Sequence, residues 1–327
     1  MSGIRLGARS WFAVALVLTA TPIRAQTISI VSVDAAAPDI GTVASATSGD
    51  TIFSIAADSG AVTRLSGAGA RTSSGTTRGH VTVTCTGSNA CASASDTVTI
   101  TSFGSPSGRA LALTNFTVAA GVNPPTLGTP TGTSTVSFTV SGIPRDEVRD
   151  FYIGADFGIA ATGNSGPATS AFVVSLPAGS SNGSAHANVL RPLSLSKVSD
   201  LSFGGIAAPS SGSATVTFSA VDAALEVTGT GARALSGTSA TLAQYTVTGE
   251  GGQSFSIDMD AETPVVLAGP GSLSVTLNSN ADASPVLSGS VGTEGSYSFR
   301  VGGSFSLSHD TPAGAYSGDF VVMVLYN

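Results

Sequence analysis

Short runs in which apolar and small polar residues alternate recur along most of this chain. Examples are HVTVT at 80–84, TVSFTV at 135–140 and SLSVTL at 272–277, and clusters of Gly, Pro, Asn and Ser separate such runs. A period of two places successive side chains on opposite faces of a strand, so that one face is buried and the other is solvated. Many short strands with turn signals between them predict an all-β protein built as β-sandwiches.

Composition agrees with folded domains and excludes one class of partner. The chain has 327 residues, which is enough for two domains, and combines 42% hydrophobic residues with only 10% charged residues, unlike a disordered chain. Its formal net charge is −7. Because a net acidic chain repels phosphate, we expect no nucleic-acid partner.

The N-terminus of the chain has the organisation of a leader. Arg5 and Arg9 precede a short apolar run, Trp11–Ala20, and Pro22 and Ala25 follow it. This order predicts a secretory signal peptide over positions 1–25, with export through the Sec pathway to the periplasm, the cell surface or the medium. The alternative is an uncleaved anchor, but the run has about half the length that a membrane span needs. We expect no membrane span after cleavage.

Two cysteines fit an exported protein. Cys85 and Cys91 flank a segment that contains Gly87 and Asn89, both common in turns. In an oxidising compartment this spacing predicts a hairpin or turn closed by a disulfide. A metal site would need more cysteine or histidine ligands than the nearby His80 supplies.

Landmarks in the first half of the chain recur in the same order in the second half. Gly67–Thr76 and Gly229–Thr238 are identical at seven of ten positions, and Gly166–Leu176 parallels Gly314–Val324. The order predicts a tandem duplication. The Gly/Ser-rich stretch 179–188 is predicted to be a flexible linker between the copies. The first sandwich would then span residues 26–178 and the second residues 189–327.

The second copy resembles a known family. Arg191–Ala207 (RPLSLSKVSDLSFGGIA) resembles the start of the bacterial secreted DUF4402 family, and the segment Val301–Asn327 resembles its end. That family is similar to chaperone–usher pilins and to spore-coat-U-like domains. The resemblance is strong over Val189–Asn327 and weaker over residues 27–176. It implies two immunoglobulin-like, pilin-like domains, either of which can lack a strand.

The C-terminal segment also resembles the pattern that pilin chaperones recognise. The resemblance implies that an alternating row forms a strand bound by a chaperone or another partner: Gly314, Tyr316, Gly318, Phe320, Val322, Val324 and Tyr326. Both faces of Phe320–Tyr326 (FVVMVLY) are apolar, so we expect this run to be buried on both sides or covered by something.

An incomplete sandwich invites strand addition, in which another chain supplies the missing strand. Ile28, Ile30 and Val33 lie in a predicted donor strand that follows the leader. The alternative is that this run is the ordinary first strand of a complete domain. The expected partners are a periplasmic chaperone, further copies of this chain or other surface subunits. A second segment with an apolar face could complete the first copy from within the chain: Val189, Leu193 and Leu195.

Catalytic groups do not converge in the sequence. His80, His186 and His309 lie far apart, and none is placed beside a nucleophile and a carboxylate. The acidic stretch 258–262 could offer oxygen ligands to Ca²⁺, but its spacing is not that of a calcium loop, and a solvated turn explains it better. We therefore expect no enzyme activity, no metal and no cofactor.

The prediction for function is an exported structural or adhesive protein of the bacterial cell surface, a pilus-like subunit assembled by strand complementation. The alternative is a secreted module that binds carbohydrate or protein through two self-complete sandwiches. Carbohydrate sites present exposed aromatic rings, and Phe151, Tyr152 and Phe157 are the local aromatic cluster. Core packing would explain these rings equally well.

Overall fold

The computed structural model describes residues 26–33, 37–73, 77–87, 89–259 and 264–327. The predicted leader therefore lies outside the described residues. Within these ranges the regular structure consists of strands, apart from a short 3₁₀ helix at Asn89–Ser93. The prediction of an all-β fold is confirmed.

The first domain consists of two sheets. Its strands are β1 (Thr27–Val33), β2 (Asp39–Ala44), β3 (Thr51–Ile55), β4 (Val62–Ser66), β5 (Ala70–Arg71), β6 (Gly79–Thr86), β7 (Ser95–Ser107), β8 (Thr114–Ala120), β9 (Thr126–Leu127), β10 (Thr135–Ser141), β11 (Val148–Ile159), β12 (Gly166–Leu176) and β13 (Gly179–Leu190). The first sheet has the order β1-β6-β11-β3-β4, with β8 also paired to β11. The second has the order β5-β2-β13-β12-β7-β10-β9.

The second domain consists of one main sheet and two short ribbons. Its strands are β14 (Ser194–Ser199), β15 (Ile206–Ala207), β16 (Ser213–Phe218), β17 (Leu225–Thr228), β18 (Arg233–Ala234), β19 (Ala243–Glu250), β20 (Phe255–Met259), β21 (Val265–Ala268), β22 (Ser272–Ser279), β23 (Glu294–Ser308) and β24 (Val322–Tyr326). The main sheet has the order β14-β19-β23-β16-β17, to which β22 and β21 are attached. The ribbons are β15-β18 and β20-β24.

Alternation along the strands produces the cores. In β6 the inward residues Val81, Val83 and Cys85 are fully buried, whereas the threonines between them are half-buried. Burying one valine-sized side chain contributes about 1.5–3 kcal/mol to folding. Two separate clusters of buried residues result, one for each domain.

The prediction of a flexible linker at residues 179–188 is wrong. These residues lie in β13, which pairs with β12 from Gly179 to Val189 after a short connection formed by Pro177 and Ala178. The first sandwich therefore extends to Leu190. Glycine and serine made the stretch look flexible, but its alternate residues face the first core and are buried: Gly183, Ala185, Ala187 and Val189.

The predicted disulfide is confirmed. Cys85 at the end of β6 is bonded to Cys91 in the 3₁₀ helix, and both residues are fully buried. The bond joins the end of β6 to the segment that leads into β7. It closes a short loop, so it braces the rim of the first core locally.

Candidate functional site: an open slot in the second sandwich

The two domains share a strand order. The main sheets β1-β6-β11-β3-β4 and β14-β19-β23-β16-β17 follow the same path through successive strands. The pair β2-β5 corresponds to β15-β18, and the pair β7-β12 corresponds to β20-β24, each antiparallel. One domain can therefore be compared with the other, strand by strand. The tandem duplication itself stays a prediction.

One strand position is filled in the first domain and open in the second. In the first domain β13 lies between β12 and β2, antiparallel to β12 and parallel to β2. In the second domain, the described residues include no strand between β24 and β15. We call the groove between segments 201–208 and 311–320, the second of which leads into β24, the slot.

The slot is an apolar groove with a volume of about 630 Å³. Residues 201–208 contribute most of one wall and residues 311–320 most of the other, and none of the lining residues is charged. Most of its floor consists of large aliphatic and aromatic side chains of the second core: Val265, Leu267, Leu273, Val275, Leu277, Phe305 and Leu307.

The hydrophobic core of the second domain is less completely buried beside the slot than the core of the first domain is. In the first domain the fully buried residues of the core far outnumber the partly buried hydrophobic residues that pack against it. In the second domain the partly buried hydrophobic residues are the more numerous. Several of them lie along the slot: Leu201, Phe203, Ile206, Leu267, Tyr316 and Phe320. A strand laid in the slot would cover them and gain about 25 cal/mol for each Å² of apolar surface removed from water.

The outer face of the C-terminal strand is exposed. Met323 and Leu325 have 53% and 64% of their surface accessible. FVVMVLY is therefore not buried on both sides within the described chain, and the alternative, that something else covers it, stays a prediction. The reason is that β24 pairs only with β20, and no element of the described chain covers its outer face.

The predicted C-terminal row runs along the slot and into β24. Its first four members line the slot: Gly314, Tyr316, Gly318 and Phe320. The Tyr316 hydroxyl donates a hydrogen bond to the Pro312 carbonyl oxygen at 2.7 Å, within the same wall. The last three members are partly buried against the second core: Val322, Val324 and Tyr326. The role of the row in binding a partner stays a prediction.

Tyr326, the last residue of β24, forms hydrogen bonds at the junction of the two domains. Its hydroxyl donates a hydrogen bond to the Arg191 carbonyl oxygen at 2.9 Å and accepts one from the Glu250 amide at 2.7 Å. Burial raises the pKa of the Tyr326 hydroxyl, which keeps it protonated as a donor. The Glu250 carboxylate is fully buried, and the Arg191 guanidinium lies 3.6 Å from it. A second cavity of about 430 Å³, lined by residues of both domains, includes Tyr326 in its wall.

The predicted donor strand is paired inside its own domain. It forms β1, which is antiparallel to β6, and Ile28 is fully buried opposite Cys85. Ile30 and Val33 pack against the same core. This is the place of an ordinary first strand, so donation would require β1 to leave its sheet. Of the second candidate segment, Val189 lies in β13 of the first sandwich. Leu193 and Leu195 instead pack against the second core, so the prediction that all three complete the first copy is wrong.

The aromatic cluster does not form an exposed platform. Phe151 and Phe157 are fully buried in the first core. Tyr152 is half-buried, and the Arg78 guanidinium lies 3.5 Å from the centre of its ring. Core packing accounts for the two phenylalanines, and a carbohydrate site on these rings is not supported.

Asp150 is an anchoring residue that the sequence did not reveal. Its carboxylate accepts hydrogen bonds from the backbone amides of Val122 and Asn123 at 3.0 and 2.7 Å, and His80 Nε2 lies 3.1 Å away. Burial alone would raise the pKa of this carboxyl, but these hydrogen bonds outweigh burial and lower it. A Cβ at Gly121 would collide with the carboxylate, so this glycine permits the close approach.

Asp150→Asn is expected to destabilise the first domain by about 1–3 kcal/mol at neutral pH, because an ionised acceptor is lost. A depressed native pKa stabilises the fold above the unfolded value of about 4, and this stabilisation is lost as pH falls through the native pKa. The melting temperature, followed from neutral pH into acid, should therefore vary less for the variant. The control is Asp146→Asn at an exposed position. Equal pH profiles for wild type and Asp150→Asn would contradict this role.

The described residues offer neither a metal cluster nor a membrane helix. They contain no group of three or more His, Cys, Asp or Glu side chains arranged to hold a metal ion. Part of the acidic stretch 258–262 lies outside the described residues, and the absence of a cofactor stays a prediction. Across the described ranges, no helix has both the length and the apolar character that crossing a membrane requires.

Among the described residues, the second domain is thus a β-sandwich in which no strand takes the place that β13 has in the first domain. Residues 193–326, which span nearly all of this domain, match DUF4402, a domain of unknown function. The predicted resemblance of the C-terminal part of the chain to this family is confirmed.

No curated protein matches the chain. Among solved structures, it is similar to a chain of the CsuC–CsuE chaperone–tip adhesion subunit pre-assembly complex from archaic chaperone–usher Csu pili of Acinetobacter baumannii. The identity is 11% and the match covers 91% of this chain and 99% of the other, with a TM-score of 0.21. A likeness at that TM-score carries no weight for function.

Proposed function

We propose that this chain is an exported structural or adhesive subunit of the bacterial cell surface whose second sandwich is completed by a β-strand of another surface subunit. The observation that carries the proposal is the slot: β13 fills this position in the first domain, and the second domain leaves it open. Export rests on the predicted leader, and the bacterial surface rests on the resemblance of the second domain.

The chemistry of the slot specifies the kind of occupant. An edge strand presents unpaired amide and carbonyl groups, which another strand satisfies by pairing with it. The uncharged lining would accept apolar side chains at alternate positions of that strand. An extended segment with a period of two meets both requirements, whereas a sugar would leave most of this apolar floor without suitable partners. The role needs no catalytic group, and we expect none.

Size-exclusion chromatography with light scattering, on the chain that begins at residue 26, tests this function. The sample is measured alone and with an excess of a peptide with the sequence of residues 179–190 or of residues 27–33 (TISIVSV). A monomer that captures peptide is expected, with slower amide hydrogen exchange in β24 when the peptide is bound. A peptide of the same composition in scrambled order serves as control.

The first domain supplies an internal reference. Its strand β12 already has partners on both sides, β13 and β7, so exchange in β12 should not change when peptide is added. A monomer that ignores every peptide, with β24 amides protected as well as those of β12, would contradict the proposal. The result would instead favour a binding module made of two self-complete sandwiches.

A further inference from the structure

The filled position of the first domain has one tight steric requirement. Phe172 of β12 pairs with Gly183 of β13, and the Phe172 ring is fully buried, with its centroid 6.1 Å from that of Phe116. A Cβ added at Gly183 would overlap the outer atoms of the Phe172 ring. The ring therefore lies across the backbone of the inserted strand, and only glycine fits beneath it.

Phe320 is the counterpart of Phe172 in the second domain. The parallel between Gly166–Leu176 and Gly314–Val324 places Phe320 at the position of Phe172 and Val322 at the position of Val174. The pairings agree at the second of these positions, because Val174 pairs with β7 and Val322 pairs with β20, the strand that corresponds to β7. Phe320 itself lies two residues before β24 begins.

The Phe320 ring is less buried than the Phe172 ring, as expected if a covering strand is absent from the slot. It is only partly buried, lines the slot and packs edge-to-face on Tyr245, with 6.4 Å between the ring centroids. Its counterpart Phe172 is fully buried where β13 covers it. The difference between the two rings is the cover that the inserted strand provides.

Resting on the proposed function, we infer that the slot selects a strand of another protein that runs antiparallel to β24 and carries a glycine opposite Phe320. The direction follows β13, which is antiparallel to β12. Small apolar residues are expected at the next inward positions, where β13 has Ala185 and Ala187. A second copy of this chain is the less suitable donor, because its β1 and β13 are each paired within a sheet.

Two peptides and two forms of the chain test the inference. The peptides have the sequence of residues 179–190, one unchanged and one with Gly183→Ile, each with a fluorescent label for anisotropy. The chain from residue 26 is used unchanged and as Phe320→Ala. Overpacking a well-filled site costs enough to weaken binding about tenfold or more, so the isoleucine peptide should bind the unchanged chain at least that much more weakly. With Phe320→Ala the two affinities should differ by less than about threefold.

The outcomes separate the inference from the proposed function. If both peptides bind the unchanged chain equally, or if the preference for glycine persists in Phe320→Ala, the inference is overturned while a strand-accepting slot remains. If neither peptide binds and TISIVSV does not bind either, the proposed function fails as well. A mass of two chains without peptide would identify a second copy as the donor and overturn the choice of another protein. Hydrogen exchange in β23 confirms that Phe320→Ala is folded, and Phe320→Val replaces it if it is not.

Discussion

Adding a strand to the end of the chain is expected to raise the melting temperature of the second domain by about 10 °C. The addition is a copy of residues 179–190 joined after Asn327 through a short Gly/Ser tether. The copy would bury the partly exposed residues along the slot and pair with the free edge of β24, as β13 does with β12. A gain of about 3 kcal/mol corresponds to that shift for a domain of this size. Differential scanning calorimetry would show the change in one of two transitions.

The matched control carries the same tether and a copy in which Ala185 and Val189 are replaced by Asp. These two residues are buried in β13, so charged replacements should not enter an apolar slot. The control is expected to melt like the unmodified chain. If both extended chains melt alike, the second domain gains nothing from a strand at this position and the slot is not an acceptor.

Deleting Phe320–Asn327 is expected to abolish stable export and to lower the soluble yield more than about tenfold. The deletion removes β24, so β20 loses its partner, and it also removes Tyr326 from the junction with Arg191. Exposed edges and an opened core favour aggregation and proteolysis of the exported chain. Yield in the periplasmic fraction, measured by immunoblot, checks the expectation.

Removing Asn327 alone is the control for the deletion, since it leaves the whole of β24 in place. That shorter change should preserve the yield. An unchanged yield after deletion of the whole segment would show that the second core does not depend on its C-terminal strand, and it would count against a pilin-like domain.

Strands with medium-sized apolar residues were predictable from the sequence, whereas β13 was not. In β6 valine alternates with threonine, and this pattern directly predicts that the valine face is buried. In β13 the buried face is made largely of glycine and alanine, and Phe172 leaves no room for a larger side chain at Gly183. Small buried residues look like a flexible linker when only composition and local pattern are available.

The candidate site was predictable in part for a similar reason. The residues of its C-terminal wall were predicted because they form one contiguous alternating row and because that row resembles the end of the family. The opposite wall, around Phe203 and Ile206, meets that row only through long-range pairing, which no local pattern encodes. Asp150 was hidden in a charged segment typical of exposed loops, and its buried position depends on contacts with residues near 122 and 80.

The hydrogen bond between Tyr326 and Arg191 at the junction of the domains would affect how the two domains carry a mechanical load. A pull along a strand held against β24 would be resisted by hydrogen bonds perpendicular to the strand, which would be loaded together in shear rather than opened one at a time. At the end of β24 the tension would pass through the Tyr326 hydroxyl to the Arg191 carbonyl, immediately beyond the end of β13. From there it would enter the long hairpin of the first domain, β12-β13, again in shear. The two sandwiches would thus carry a load in series, through strands that the Tyr326–Arg191 hydrogen bond connects.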